Sequence, residues 1–488
     1  MTLARTAVRG SAVSIGGQGF RIVLQLAGLA VLARLLEPAD FGIVAMVTAA
    51  IGFADILRDF GLSSAAVQSP TVSRGERTNL FWANTGLGLG CTLIVAASTP
   101  LIVAFYDEPT LVHVVPALSL VLLISGINTQ YRADLGRALR FVALASSDVL
   151  AQLVGTIVAI VVAVMGGGYW AIVTQQLTVA LVALVVNIIS TRWHPGLPQR
   201  GVSIRRFFRF GLSVFGTQVL SYASKNADTV ALGAFWGPSV LGVYNRAQQI
   251  AVVPLNQING PLTRVALPVL SKAHLEPDRF ARAASRAQLA GAYLTATVLA
   301  FVAGLSEPIV DVLLGPGWSE VAPILSLLAI AGVFRSLSQL AYWIFLASGR
   351  PGVQFRLDLW AQPTMVAVIV LGASQGALGA AWAAVIVWPL YWIVGLLVAA
   401  RSAGLVAVPL VMRAVRALLG VALPAALASW YVSSWIGDAV LALAAGALAG
   451  AALVAVVALV VRPVRRDVAE VIGLLRHAAA RGEKAARR

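Results

Sequence analysis

Apolar stretches alternate with short polar segments along the whole chain. A bilayer core about 30 Å thick needs roughly 20 apolar residues for each helical crossing. The pattern therefore predicts an all-α polytopic membrane protein with about fourteen transmembrane helices. The predicted spans are 11–36, 41–65, 79–105, 110–130, 143–166, 169–191, 210–236, 239–263, 286–306, 319–346, 357–373, 376–400, 412–433 and 438–461.

The distribution of charge gives the predicted spans a direction. Of the 36 Lys and Arg residues, all but six fall in alternate gaps between spans. Cytoplasmic loops of membrane proteins carry the excess of Lys and Arg, so both termini are expected in the cytoplasm. The net charge of +16 follows from this topology, because nucleic-acid binding needs cations gathered on one exposed face. No nucleic-acid partner is expected.

The composition excludes an ordinary soluble protein and offers no metal or redox chemistry. Hydrophobic residues make up 59% of the chain, charged residues 11%, and the mean hydropathy is +0.86. Cys91 is the single cysteine, so disulfides and cysteine-based metal sites are excluded. The four histidines show no metal-ligand spacing, and no ATP-binding motif is present. The sequence therefore predicts no cofactor, no metal and no catalytic residue.

The chain resembles itself at a shift of 200 residues. The Pro-x-x-x-Gly that joins spans one and two (Pro38, Gly42) recurs between spans seven and eight (Pro238, Gly242). Both copies start in the cytoplasm, which predicts parallel repeats about an axis along the membrane normal. Two such lobes with a seam between them are typical of alternating-access transporters. The predicted domains are a six-helix lobe 1–200, a second six-helix lobe 201–400, and two further spans with a basic cytoplasmic tail in 401–488.

The first span of each lobe carries a polar line at helical spacing. Arg21 and Gln25 belong to the line of lobe one, and Gln218, Lys225 and Asp228 to that of lobe two. An embedded cation is costly and normally faces the bundle interior or a watery cavity, which favours a substrate-binding role for Arg21 and Lys225. The alternative is a structural cation satisfied by its neighbours. Asp228 is either the neutralising partner of Lys225 or a coupling-ion site.

Span two ends in Asp55, Arg58 and Asp59, which share one helical face. The cluster lies close to the cytoplasmic boundary. Two interpretations stay open for it: a self-contained structural ion pair, or a gate or ligand site in which Arg58 contacts the substrate.

Three further polar residues lie inside predicted spans of lobe two. Asn245 belongs to the polar side of span eight. Arg246 follows it close to the outer end, which favours snorkelling outward over substrate binding. Arg335 lies deep in span ten, which favours a position in the cavity.

The embedded cations outnumber the embedded carboxylates along the predicted seam. A cavity with surplus positive charge should hold an anion, and phosphate or diphosphate fits the forked guanidinium of arginine. The apolar surroundings suit a substrate that is attached to a lipid.

Four short segments resemble the polysaccharide-transporter flippases, the Wzx-type branch of the MOP exporter superfamily. They read LEPADFG in 36–42, DFGLSSAAVQ in 59–68, LGVYNRAQ in 241–248 and VALPVLS in 265–271. The resemblance implies two six-helix lobes in a V, without enzymatic activity, in the bacterial cytoplasmic membrane. It also implies transfer of undecaprenyl-diphosphate-linked oligosaccharides from the inner to the outer leaflet.

The resemblance also assigns roles and partners. By position, Arg21 and Arg58 correspond to cations that such flippases use in lobe one, and Lys225 and Arg246 to counterparts in lobe two. The implied partners are the lipid-linked oligosaccharide, membrane lipids, coupling H⁺ or Na⁺, and polysaccharide-assembly enzymes.

Two other classes of protein compete with a flippase. A drug or cation antiporter of the same superfamily would need an anionic cavity, whereas acidic groups are outnumbered here. A membrane-embedded polymerase, ligase or glycosyltransferase would place its chemistry in a large outer loop or a soluble domain. The longest outer gap lies between Glu307 and Glu320, which is short for either.

Overall fold

The structure is a computed structural model that describes residues 3–60, 62 and 72–473. Within these ranges the regular secondary structure is entirely helical, as the sequence predicts. The helices are α1 Leu3–Leu35, α2 Pro38–Asp59, α3 Arg74–Ala97, α4 Thr99–Tyr106, α5 Leu111–Arg137, α6 Phe141–Val164, α7 Trp170–Thr191, α8 Arg205–Ala273, α9 Pro277–Gly304, α10 Ser306–Leu313, α11 Val321–Leu337, α12 Gln339–Ala347, α13 Pro351–Ala373, α14 Ala377–Ser402, α15 Ala407–Ala417, α16 Leu423–Ser433, α17 Ala439–Val460 and α18 462–473.

Eleven helical segments in the described part of the chain are long and apolar enough to cross a membrane. Nine of them are single helices; the other two combine α11 with α12 and α15 with α16. Apolar surfaces of this extent need a bilayer around them. The prediction of a polytopic helical membrane protein is confirmed.

The longest helix, α8, bends at one glycine. Gly237 has φ 74° and ψ −170°, a backbone conformation that side chains disfavour, and Pro238 follows it. The bend divides the 69 residues of α8 into two consecutive helices. Shortly after it, at Gly242, the described chain divides into two compact units, and Val243 begins the second.

In the first unit, a reciprocal contact joins the two Pro-x-x-x-Gly motifs. A Cβ atom on Gly42 would overlap the carbonyl group of Pro238, and a Cβ on Gly242 would overlap that of Pro38. The glycine of each motif therefore packs against the backbone of the proline in the other motif. Small residues at helix interfaces in membranes let backbones approach in this way.

Other glycines of the first unit also mark close helix packing. A Cβ on Gly88 of α3 would lie 3.2 Å from the Cα of Gly126 on α5. A Cβ on Gly28 of α1 would lie 2.8 Å from Cγ2 of Thr156 on α6. Van der Waals packing of small residues therefore holds α3 to α5 and α1 to α6.

The segment between α7 and α8 is fastened to the first turns of α3. Asn79 donates hydrogen bonds from Nδ2 to the carbonyls of Gln199 and Val202, both 2.9 Å long, and accepts one from the Gln199 N–H at 2.8 Å. The guanidinium of Arg77 stacks on Trp193, 3.9 Å from the ring centroid. The segment between α7 and α8 is therefore an ordered part of the first unit.

The second unit has a core of large apolar side chains from several helices. Phe280 and Tyr293 of α9 meet Trp343 and Phe345 of α12 and Trp392 of α14. Close packing among these side chains positions the helices that carry the polar residues described below.

One face of the tail helix α18 packs onto this core. Val464 and Val471 are buried in the core, and two carboxylates occupy positions between them. Asp467 accepts hydrogen bonds from Arg416 Nε at 2.6 Å and from Tyr293 Oη at 3.0 Å. Glu470 accepts one from Arg286 Nε, also at 3.0 Å.

The sequence shows the helical spacing of the tail valines but not these acceptors. Because Asp467 and Glu470 meet arginines of α9 and α15, the helix is fixed to unit two by charge as well as by apolar contact.

Candidate functional site

Arg21 of α1 shares a carboxylate with a second arginine. Asp148 of α6 accepts a hydrogen bond from Arg132 Nη1 of α5 at 2.7 Å and a longer one from Nη2 at 3.4 Å. Arg21 Nη1 lies 3.8 Å from Oδ2 of Asp148, the oxygen that accepts the longer of these two hydrogen bonds. The side chains of Arg21, Arg132 and Asp148 are 47%, 41% and 29% exposed, so the group is open to its surroundings. It carries one net positive charge.

Arg58 of α2 is buried and engaged within the first unit. Its side chain is 7% exposed, whereas that of Asp55 is 48% exposed. Arg58 donates from Nε to Asp55 Oδ1 at 2.8 Å and from Nη1 to Thr129 Oγ1 at 2.7 Å. The structure thus brings together Asp55 and Arg58 of the predicted cluster. Asp59 is half-buried as the last residue of α2.

The residues of the polar line on the first part of α8 differ in exposure. Lys225 is exposed, Gln218 is half-buried, and Asp228 is buried. Asp228 Oδ1 accepts a 2.7 Å hydrogen bond from the backbone N–H of Thr229. On α1, Gln25 is half-buried one turn beyond Arg21.

A cavity of about 480 Å³ in the first unit lies on a different face of α8. Tyr222 and Asn226 line it, together with apolar residues of α2 and α4. Tyr222 Oη donates a 3.0 Å hydrogen bond to the carbonyl of Ala49 across one edge. Lys225 and Asp228 are not among the lining residues, so this cavity is not the predicted cationic one.

In the second unit, two of the predicted arginines contact neutral side chains. Arg246 Nη2 donates a 3.1 Å hydrogen bond to Oδ1 of Asn245, the preceding residue. The Arg335 guanidinium lies 5.4 Å from the centroid of the Trp388 ring on α14, within the range of a cation–π contact. Both arginines are half-buried.

Sequence analysis missed three charged residues that the structure places inside helical spans. Arg132 falls in the predicted gap after span 110–130, and Asp148 falls in predicted span 143–166; in the structure both lie within spanning helices. Asp358 of α13 accepts hydrogen bonds from Tyr391 Oη at 2.8 Å and Gln354 Nε2 at 3.3 Å, so its partners are neutral. For the two aspartates, the missed signal was a glutamine four residues away within an apolar stretch: Gln152 after Asp148, and Gln354 before Asp358.

The described part of the chain contains no cluster of three His, Cys, Asp or Glu side chains that would hold a metal ion. The polar chemistry of the described spans is instead that of arginines, carboxylates and amides.

The described helices are those of a polytopic membrane protein with charged side chains inside its spans. The profile of the polysaccharide biosynthesis protein family matches residues 31–323. The chain belongs to this family.

Two curated relatives agree with the assignment. The lipopolysaccharide biosynthesis protein WzxC of Escherichia coli (strain K12) is 26% identical over 386 residues, 78% of each chain. The succinoglycan biosynthesis transport protein ExoT of Rhizobium meliloti (strain 1021) is 24% identical over 377 residues, 77% of this chain and 76% of the relative.

The fold is similar to that of a solved structure, "Lipid II flippase MurJ, inward closed conformation". The two superpose with a TM-score of 0.69 at 13% identity, over 90% of this chain and 96% of that one. At this identity the likeness establishes the fold alone.

Proposed function

We propose that the protein translocates an undecaprenyl-diphosphate-linked oligosaccharide across the bacterial cytoplasmic membrane for cell-surface polysaccharide synthesis. The family and the names of the relatives support the substrate class. The observation that carries the proposal is the open pair of Arg21 and Arg132 around a single carboxylate inside membrane-spanning helices. A guanidinium pair with surplus positive charge matches the oxygens of a diphosphate.

The proposed topology has fourteen spans with both termini in the cytoplasm. Adding α1 and the two parts of α8 to the eleven candidate spans gives this number. The basic gaps support the orientation. The reciprocal contact of the two Pro-x-x-x-Gly motifs supports lobes 1–200 and 201–400 as parallel repeats, followed by 401–488, and alternating access as the transport cycle.

The proposed substrate contacts are cations and amides of both units. In the first unit they are Arg21, Gln25, Gln218 and Lys225, and the exposure of Arg21 and Lys225 supports them. In the second unit they are Asn245, Arg246 and Arg335. For Arg58, burial against Asp55 and Thr129 favours a structural ion pair at the end of α2 over direct contact with substrate.

A test in cells compares the leaflet accessibility of the lipid-linked glycan between the wild type and a double variant that carries both Arg21→Ala and Lys225→Ala. We expect translocation to fall by about tenfold or more, because each lost charge contact to a phosphate is worth about 1.5–3 kcal/mol. Arg279→Ala is the matched control, since Arg279 is an exposed cation paired with Glu276. Wild-type translocation in the double variant would remove both residues from the proposal.

Transport is proposed to be coupled to H⁺ or Na⁺ through carboxylates in the spans. Asp228 and Asp358 are the candidates, because Asp228 is buried and the hydrogen bonds to Asp358 come from neutral groups. Gating by Asp55 and Asp59 is the remaining part of this proposal.

Asp358→Asn tests the coupling. The amide keeps the size of the carboxylate and an acceptor for Tyr391, but cannot take up a proton or balance a sodium ion. We expect the variant in vesicles to lose stimulation by an imposed proton or sodium gradient and to keep gradient-free exchange. Asp311→Asn, at an exposed carboxylate of the same unit, is the control. Full stimulation in Asp358→Asn would assign the coupling elsewhere.

A further inference from the structure

Three helices of the first unit converge on Asp148. Arg132 of α5 contacts both of its oxygens, and Arg21 of α1 contacts one of them at the outer limit for an ion pair. Arg21 of α1 contacts Asp148 of α6, and Gly28, further along α1, packs against Thr156, further along α6. The two helices therefore run in the same direction. The carboxylate is therefore held firmly by one arginine and loosely by the other.

The position of the group suits a polar headgroup. Arg132 lies about 8 Å before the end of α5 and Asp148 about 10 Å after the start of α6, at 1.5 Å per residue. In the proposed topology these ends face the cytoplasm, so the three side chains lie near the interface of the inner leaflet. Their exposure leaves them accessible to a ligand from that leaflet.

We propose that Asp148 is an internal counter-anion which a phosphate group of the substrate replaces on Arg21. In the empty protein Asp148 neutralises one of the two arginines and keeps both in place. When a prenyl-linked phosphate or diphosphate arrives, Arg21 exchanges its loose contact for the phosphate while Arg132 keeps hold of Asp148. This inference rests on the proposed function and adds its docking site, in which Arg132 holds Asp148 and Asp148 competes with the substrate for Arg21.

A carboxylate that competes for Arg21 lowers the affinity of the site for phosphate. A transporter needs such a limit so that its substrate can leave. A phosphate held by two arginines without a counter-anion would bind tightly and leave slowly. Arg58 and Arg77 do not offer such an exchange, because Arg58 is buried against Asp55 and Arg77 pairs with Asp134 while stacked on Trp193. Of these arginines in the described residues of the first unit, Arg21 and Arg132 are the open ones, so the exchange is assigned to their group.

The second unit provides a matched control. Glu470 also lies between two arginines, 3.0 Å from Arg286 Nε and 3.7 Å from Arg413 Nη1, and its side chain is 32% exposed. It belongs to the packed tail helix and not to the proposed docking site. Asp148→Asn and Glu470→Gln remove the same charge from similar surroundings.

The experiment measures binding of farnesyl diphosphate and of inorganic pyrophosphate to the full chain in phosphatidylcholine nanodiscs. We expect Asp148→Asn to tighten both dissociation constants by about three- to tenfold, since partly exposed ion pairs of this kind contribute modestly. Glu470→Gln should leave both unchanged. The gain should vanish in the double variant Arg21→Gln with Asp148→Asn.

Several results would overturn the inference. One is an equal gain in affinity in Asp148→Asn and Glu470→Gln. Another is a gain in affinity that persists in the double variant without Arg21. The third is unchanged affinity in Asp148→Asn. If thermal unfolding shows Asp148→Asn to be misfolded, Arg21→Gln decides the matter, because wild-type affinity in that variant contradicts the exchange. If phosphatidylglycerol in the discs abolishes the difference between wild type and Asp148→Asn, bilayer lipid is the ligand and the substrate docking site is refuted.

Glycan transport by the same preparation separates the two proposals. Transport by the wild type with no effect of Asp148→Asn on affinity refutes the exchange alone. Absence of both prenyl diphosphate binding and transport refutes the proposed function together with the exchange.

Discussion

Alanine at Gly42 or at Gly242 is expected to prevent the first unit from folding correctly. Each new methyl group would overlap a backbone carbonyl, that of Pro238 or of Pro38, which has no rotamer with which to move away. Overpacking usually costs about 1–3 kcal/mol, and a clash with backbone belongs at or above the upper end. Both variants should therefore lose transport and show a much lower thermal midpoint in detergent.

Gly90→Ala is the control for this prediction. Gly90 also lies within a spanning helix, but a Cβ there meets nothing within 4 Å. The alanine should be neutral or slightly stabilising, because alanine is the better helix former. Wild-type thermal midpoints in Gly42→Ala and Gly242→Ala would show that the two motifs do not pack on each other in the membrane.

Asp55→Ala is expected to destabilise the protein more than Arg58→Ala does. Removing Asp55 leaves a buried guanidinium with only Thr129 as its described hydrogen-bond acceptor, at a cost of about 1–3 kcal/mol. Removing Arg58 leaves a half-exposed carboxylate that water can solvate. The asymmetry follows from the different burial of two partners in one ion pair.

Thermal unfolding of the two single variants and of the double variant measures this difference. The double variant should be less destabilised than Asp55→Ala, since removal of both charges leaves none buried. A larger loss in Arg58→Ala, together with a loss of substrate binding in a folded protein, would instead assign Arg58 to the ligand site.

The helical membrane architecture follows from sequence because it depends on local properties. A run of apolar residues long enough to span a bilayer is visible without any contact information. Predicted span 41–65 overlaps α2 Pro38–Asp59, and predicted span 438–461 overlaps α17 Ala439–Val460. The bend at Gly237 was also expected from Trp236-Gly237-Pro238 as a gap between spans.

The partners of the charged residues did not follow from sequence. The spacing of Asp55 and Arg58 on one helix made an ion pair one of the two interpretations that the sequence left open, because residues three apart share a face. Asp148 and Arg132 come from different helices, so no spacing rule joins them to Arg21. The tail valines showed a helical period, but only the fold reveals that Asp467 and Glu470 have arginine partners on α9 and α15.

The protein combines a common membrane fold with a particular arrangement of charges. A fold shared with MurJ does not by itself define a substrate, because sites and not folds determine function. In this chain the distinguishing features are the open arginine pair at Asp148, the exposed Lys225 and the neutral-partnered Asp358. We propose an anionic lipid-linked cargo and a coupling cation as the ligands of these groups.

The most direct test is translocation by the purified protein in liposomes. The assay follows the accessibility of an undecaprenyl-diphosphate-linked oligosaccharide to an external glycosidase, beside the same glycan on a neutral prenyl carrier. The account predicts protein-dependent translocation of the diphosphate form, strongly reduced in Arg21→Ala with Lys225→Ala, and little movement of the neutral form. Equal movement of both forms, or export of a cationic dye with no movement of either glycan, would contradict it.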